Sequence, residues 1–305
     1  MTLSRRALLL LSGLAIAVIA AALGVLLATR GDDGGRKFAG RIAVVNGCGL
    51  LHMFADGRNR KRLCLSHFWA AASVSDNGKT LAWDTLEKSK SGIVVAALDV
   101  KFTEAKNEQQ LPVPAGANAE PTLSPDGNTV AFLHTPKDDG RYDIWTTPAT
   151  TTTERAEQVT ATRSVSTAAW SPSGDWIAYV RNWSEETLEG DIVLVRPDGN
   201  DERRLGRGDA PSWAPDGERL VFVRNQDIWT MRSDGTASRL LVPNGHTPAW
   251  SRDGKLIAFA RELKCGQPVC RERIFLQFAT GGEPQPLGPT LPGIQRLLWL
   301  PDPSE

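Results

Sequence analysis

The chain has 305 residues, of which 41% are hydrophobic and 23% charged, a balance that excludes wholesale disorder. Lysine plus arginine and aspartate plus glutamate both number 35, so the formal net charge is 0 and the basic footprint of a nucleic-acid binder is missing. Four cysteines are too few for a disulfide scaffold and too widely placed for a zinc ribbon.

The first element is apolar. Residues 7–29 (ALLLLSGLAIAVIAAALGVLLAT) carry no charge over 23 positions. As a helix rising about 1.5 Å per residue they would cover roughly 34 Å, enough for a hydrocarbon core of about 30 Å. The apolar region of a cleaved signal peptide is shorter, roughly 7–15 residues, so an uncleaved single-pass anchor is expected. No cysteine follows the run directly, so there is no bacterial lipoprotein site. Arg5 and Arg6 precede the span while Arg30, Arg36, Lys37 and Arg41 follow it, and the positive-inside count does not choose an orientation. The short N-terminal tail and the downstream cysteines favour a C-terminal domain on the extracytoplasmic side of the cell membrane. The expected organisation is an anchor with a short cytoplasmic tail (1–30), a Gly/Asp-rich tether (31–39) and a folded domain (40–302). Residues 31–305 hold 35 acidic and 35 − 3 = 32 basic side chains, a formal charge of −3.

Beyond the tether the chain repeats. ASVSDNGKTLAW (72–83), PTLSPDGNTVAF (121–132), AAWSPSGDWIAY (168–179), PSWAPDGERLVF (211–222) and PAWSRDGKLIAF (248–259) share one pattern. Val74, Leu123, Trp170, Trp213, Trp250 and Trp299 hold one repeat position at steps of 49, 47, 43, 37 and 49 residues. Each repeat is an apolar strand, a tight turn with glycine at 78, 127, 174, 217 or 254, and a second strand ending in an aromatic residue. A third strand follows, as in DIWTT (143–147), DIVLV (191–195), DIWTM (227–231) and RIFLQ (273–277), then a second turn and a short edge strand. No sustained 3.6-residue apolar period occurs after residue 30, so helices are not expected. Four antiparallel strands per repeat of about 40–45 residues predict the blades of an all-β propeller. Residues 41–63 supply three strands of a blade without its first, and 294–300 supply a first strand with nothing after it. Together they predict a sixth blade closed by strands from the two ends of the domain, leaving no open edge on the ring.

The Ser-Pro-Asp-Gly turn, the Ile-Ala-Phe strand, the Asp-Ile-Trp strand and the closing edge resemble the TolB-type propeller repeat over roughly residues 40–302. The turns depart from the pattern at Asn77, Ser173 and Arg252, and the separate N-terminal domain of TolB proteins has no counterpart here. The resemblance implies a six-bladed propeller, a periplasm-like location and binding of an envelope or secreted protein. It does not imply TolB's own role, because such blades serve many functions.

Residues that recur in every repeat are read as scaffold. The turn aspartates are expected to bond their own backbone, the tryptophans to pack between blades, and Asp143, Asp191 and Asp227 to brace the third strand. Chemistry is sparse. G-x-S-x-G, a Walker loop, H-E-x-x-H and an EF-hand loop are all missing, so no catalytic residue, cofactor or metal ligand is assigned. His52, His67, His134 and His246 fall in different blades without ligand spacing. The long variable segments at 134–142, 181–190 and 261–273 lie on the face opposite the tight turns, where binding is expected. Trp69, Glu120, Asp209, His246 and Arg296, at the start of successive first strands, are the candidate ligand-binding residues at the channel mouth there.

Four cysteines allow three pairings. Strand tracing puts Cys48 and Cys64 on one rim and Cys265 and Cys270 in one loop, so Cys48–Cys64 and Cys265–Cys270 are expected; free thiols in a reducing compartment are the alternative. Two functions follow from the residues: a membrane-tethered, non-catalytic module binding a protein or envelope ligand, or a metal-dependent small-molecule hydrolase centred in the channel.

Overall fold

The computed structural model describes residues 40–46, 49–87, 90–99, 101–137, 139–150, 155–263 and 271–301. Every named element among them is a β-strand. In chain order come β1 (Arg41–Asn46), β2 (Gly49–Phe54) and β3 (Lys61–Cys64), followed by β4 (Phe68–Val74), β5 (Thr80–Glu87), β6 (Lys90–Leu98) and β7 (Ala105–Gln110). Next are β8 (Ala117–Leu123), β9 (Thr129–Thr135), β10 (Asp143–Pro148) and β11 (Glu157–Gln158). Then follow β12 (Val165–Trp170), β13 (Ile177–Ser184), β14 (Glu189–Val195), β15 (Arg203–Trp213), β16 (Arg219–Arg224), β17 (Asp227–Arg232) and β18 (Arg239–Val242). The last are β19 (His246–Trp250), β20 (Leu256–Glu262), β21 (Arg271–Phe278), β22 (Gln285–Pro292) and β23 (Arg296–Leu300).

All pairings are antiparallel, and the architecture is an all-β propeller of four-stranded blades. The expected closure is present. β23 pairs with β1, setting Arg41 opposite Leu300 and Val45 opposite Arg296, in a sheet ordered β23-β1-β2-β3. The sheets do not, however, separate into the six expected. Four are distinct and four-stranded, while β12 to β18 form one seven-stranded sheet. The cause is β15, whose first half bonds to β14 and whose second half bonds to β16 without a break. Two of the other links contain prolines, Pro112 and Pro114 before β8 and Pro243 before β19, which supply no N–H to a ladder; residues 203–210 have none.

The second strand of each unit is apolar on both sides, and the reason is visible in β9. Val130 and Phe132 pack into a cluster with Ala82, Ile93 and Val95 of the preceding sheet. Ala131 and Leu133, pointing the other way, pack with Ile177 and Tyr179 of the following one. A strand covered on both faces reads as a continuous apolar run rather than an alternating one. In β20 the division repeats: Ile257 and Phe259 join one cluster, and Ala258 and Ala260 another.

The turns are built as the sequence predicts. At 124–129 the Gly127 N–H donates to the Ser124 carbonyl (2.9 Å) with φ at +76°, a conformation only glycine adopts without strain. Asp126 Oδ1 accepts the Asn128 N–H at 3.0 Å. Asp216 and Asp253 make the same bond to Glu218 and Lys255 (2.9 and 3.1 Å), and Asn77 serves for aspartate with Lys79 (2.9 Å). Residues 7–29, the expected membrane span, lie outside the described residues, as does the tether. No helix among the described residues is long and apolar enough to cross a membrane.

Closure carries a stability test. Ending the chain at Gly293 deletes β23 with Leu297 and Leu300, which are 3% and 1% exposed. Burial of such side chains contributes about 1.5–3 kcal/mol each, and their loss bares β1 as an unpaired edge. The truncated protein is expected to melt well below the full chain and to aggregate; equal melting temperatures by calorimetry would refute a shared closing sheet.

Candidate functional site

The first strands β4, β8, β12, the second half of β15, β19 and β23 surround a central channel of about 430 Å³. Tryptophan ties neighbouring first strands together. The Trp170, Trp213 and Trp299 indole N–H groups donate to the carbonyls of Thr122, Ala169 and Ala249, each at 3.1 Å. Trp250 packs under the Arg219 guanidinium, 4.8 Å from its ring centre. These tryptophans are inter-blade scaffold, as expected.

At the end facing the long loops, five of the six strands break register. The irregularities fall between Phe68 and Ala72, Ala119 and Thr122, Val165 and Thr167, Asp209 and Ser212, and His246 and Ala249. A bulge re-aims the side chain it carries. Glu120, Ala210 and Thr247 sit at these points with φ of 52°, 47° and 48°, a strained conformation for residues other than glycine.

Of the five candidate residues, Glu120, Asp209 and Arg296 line the channel. Glu120 and Arg296, 176 positions apart, form an ion pair with Nη2 to Oε2 at 2.9 Å. Their side chains are 37% and 21% exposed. Trp69 is half-buried in β4 and His246 opens β19, and neither belongs to the channel wall. His246 instead turns to Glu272, Nε2 to Oε1 at 3.5 Å.

Two features of the site escaped the sequence reading. The first is Asp84 in β5, only 1% exposed. Its Oδ1 accepts the Ala70 and Ala71 N–H groups (2.9 and 2.8 Å) and its Oδ2 the Glu120 N–H (3.2 Å), so it clamps the bulge that presents Glu120. Burial is the main cause that pushes its pKa up to about 6; the Glu120 carboxylate adds to this and the three N–H bonds oppose it. The signal was a carboxylate at the repeat position where β9 has Leu133. Related clips recur around this face: Asp143 accepts the Arg163 N–H (2.8 Å), Glu189 that of Asn225 (2.6 Å), and Asp227 that of Asn244 (2.8 Å). Glu272 accepts the Ile294 N–H.

The second feature is at the turn end of the channel, where Asp76 and Arg252 face each other at 3.8 Å. Both occupy the turn position held by Pro125, Pro172, Pro215 and Pro301. Opposite charges at the two departures from proline were the available signal. Among the described residues no group of three His, Cys, Asp or Glu side chains is placed to hold a metal ion.

A family model described as the TolB beta propeller domain matches residues 38–270. The chain belongs to the TolB β-propeller family. Two solved TolB structures agree with this fold. TolB from Acinetobacter baumannii superposes with a TM-score of 0.66 at 18% identity, over 87% of this chain and 68% of that one. The structure described as putative TolB from Agrobacterium tumefaciens gives 0.62 at 19%, over 86% and 97%. The periplasmic gluconolactonase PpgL of Pseudomonas aeruginosa gives 0.51 at 13%, over 86% and 99%. At these identities the likeness is one of fold. No curated protein matches the chain.

The Asp84 clamp of this TolB-type propeller predicts a pH signature. A carboxyl whose folded pKa lies above its unfolded value of 3.8 stabilises the fold at low pH, and that contribution is lost as pH rises through about 6. The gap is worth up to about 3 kcal/mol. Between pH 4 and 7.5 the stability of the native protein relative to Asp84→Asn should therefore fall by up to that amount. A stability difference independent of pH would contradict the assignment.

Proposed function

We propose that this TolB-type propeller is a membrane-tethered, extracytoplasmic and non-catalytic binding module. It takes a protein or cell-envelope ligand at the loop-side mouth of its channel, and residues 7–29 anchor it. The observation that carries this reading is the Glu120–Arg296 pair, two opposite charges delivered by distant strands to the rim of a cavity. Loops and rims on a rigid scaffold are common places for recognition, and concave ones let several elements reach one ligand. Arg296 offers a guanidinium of the kind that often dominates interface energetics.

On this reading the ring has six units. The seven-stranded sheet counts as two, sharing β15, whose Arg203–Gly208 half belongs to one and Asp209–Trp213 half to the next. Six apolar clusters, each joining strands of neighbouring units, support the count. Cys48–Cys64 and Cys265–Cys270 are the proposed disulfides. Supporting the first, Cys64 is disulfide-bonded and stands opposite Gly49 in the β2–β3 ladder, one residue from Cys48. Cys48, Cys265 and Cys270 lie outside the described residues. Non-reducing mass analysis of protein from intact cells is expected to show two protons lost per pair; alkylation of all four thiols would overturn the exported, oxidised reading.

The channel-centred hydrolase needs a ligand set or a nucleophile–base pair, and no observation favours it. The site is tested by crosslinked capture of partners from intact cells. Glu120→Ala with Arg296→Ala, which removes both charges together, is expected to abolish capture while shifting the melting temperature by a few degrees. Asp126→Ala, Asp216→Ala and Asp253→Ala in the opposite turns should lower stability and leave capture by the folded fraction intact. Capture lost only from the turn variants would move the site to the other face.

A further inference from the structure

The propeller meets its N-terminal extension at one identifiable place. Arg41 pairs with Leu300 at the turn end of β23, so the chain joins the disc on its tight-turn face. There the Gly40 carbonyl accepts the Ala55 N–H at 2.9 Å. Ala55 begins the β2–β3 turn and its flank, ADGRNRKR (55–62), with four basic side chains against one acidic. Arg58, Arg60, Lys61 and Arg62 are all exposed. Asp56 is engaged by Arg58, Nε to Oδ2 at 2.7 Å, and no described carboxylate forms an ion pair with Arg60 or Lys61. On the β4–β5 turn, whose Gly78 packs against Pro301, Asp76 and Lys79 are both exposed. The domain as a whole is slightly acidic, so this concentration of positive charge is local.

Eleven residue steps from Thr29 to Gly40 reach at most about 40 Å when fully extended. An anchor ending at Thr29 therefore holds the turn face and this basic hairpin within a short distance of the bilayer. We propose that the β2–β3 turn, through Arg60, Lys61 and their basic neighbours, docks on anionic phospholipid headgroups. The tight-turn face then lies toward the membrane and the Glu120–Arg296 mouth points away from it, open to a partner. The proposal rests on residues 7–29 being the anchor, and docking supplies what a tether alone does not, a fixed orientation. Each Lys or Arg held near an anionic surface strengthens association about fivefold, and salt screens the effect.

The test uses the full chain with vesicles of phosphatidylcholine, with and without phosphatidylglycerol. Carbonate-resistant flotation with both vesicle types reports the anchor. Amide hydrogen exchange over residues 55–62 reports docking. Protection of these amides with phosphatidylglycerol vesicles only, reversed by salt, is the expected result. Arg60→Gln with Lys61→Gln should weaken it about 25-fold at an unchanged melting temperature. Anchored protein with equal exchange in both lipids overturns docking and leaves the anchor standing. Protection without carbonate-resistant flotation supports docking and overturns the anchor. Protection unaffected by the double substitution overturns the assignment to these side chains.

Discussion

Pairing of β23 with β1 closes the ring and holds its two ends together. Five residues from the end of the domain complete a sheet begun by its first residues. Without them β1 presents an unpaired edge, and the cluster containing Ile42, Val44 and Met53 loses Leu297. The same pairing has a consequence at the channel mouth. Arg296 is the first residue of the closing strand, and only closure carries it to Glu120. The ion pair at the channel mouth thus depends on the closing of the ring.

Around that ring, two kinds of directional bond fix how neighbouring units sit. Indole N–H groups reach across first strands near the middle of the channel, and carboxylates accept backbone N–H groups of the following segment on the loop side. Apolar packing between units is strong but non-directional. Hydrogen bonds to charged acceptors contribute about 1.5–3 kcal/mol each and fix geometry as well. Asp84 shows the cost of this arrangement. Burial raises its pKa to about 6 against the opposing pull of the three N–H bonds it accepts, so the carboxyl that clamps the Glu120 bulge changes its charge near that pH.

Much of this was legible in the residues. The Asp-Gly turns, the double-sided apolar strands and the incomplete units at the two ends follow from local pattern, and the structure has all three. Glu120, Asp209 and Arg296 were placed at the channel because each stands where the chain enters the apolar run of a first strand. Trp69 and His246 were placed by the same rule, and they stand outside the lining of that cavity. His246 turns to Glu272 instead. Asp84 was hidden by its position inside a strand that otherwise reads as core.

The strand order, the tight turns and the closing of the ring from its two ends can all be read from the residues. Those depend on the alternation of side chains along a few residues and on turn chemistry, which are local. The continuous β15, the Asp84 clamp and the partners of the charged residues were decided only in three dimensions. Glu120 with Arg296 and Asp76 with Arg252 each meet across an intervening unit of the ring. Which charges come within 4 Å there is set by the channel's width and by the bulges that aim each side chain, and neither is written in the spacing of the repeats.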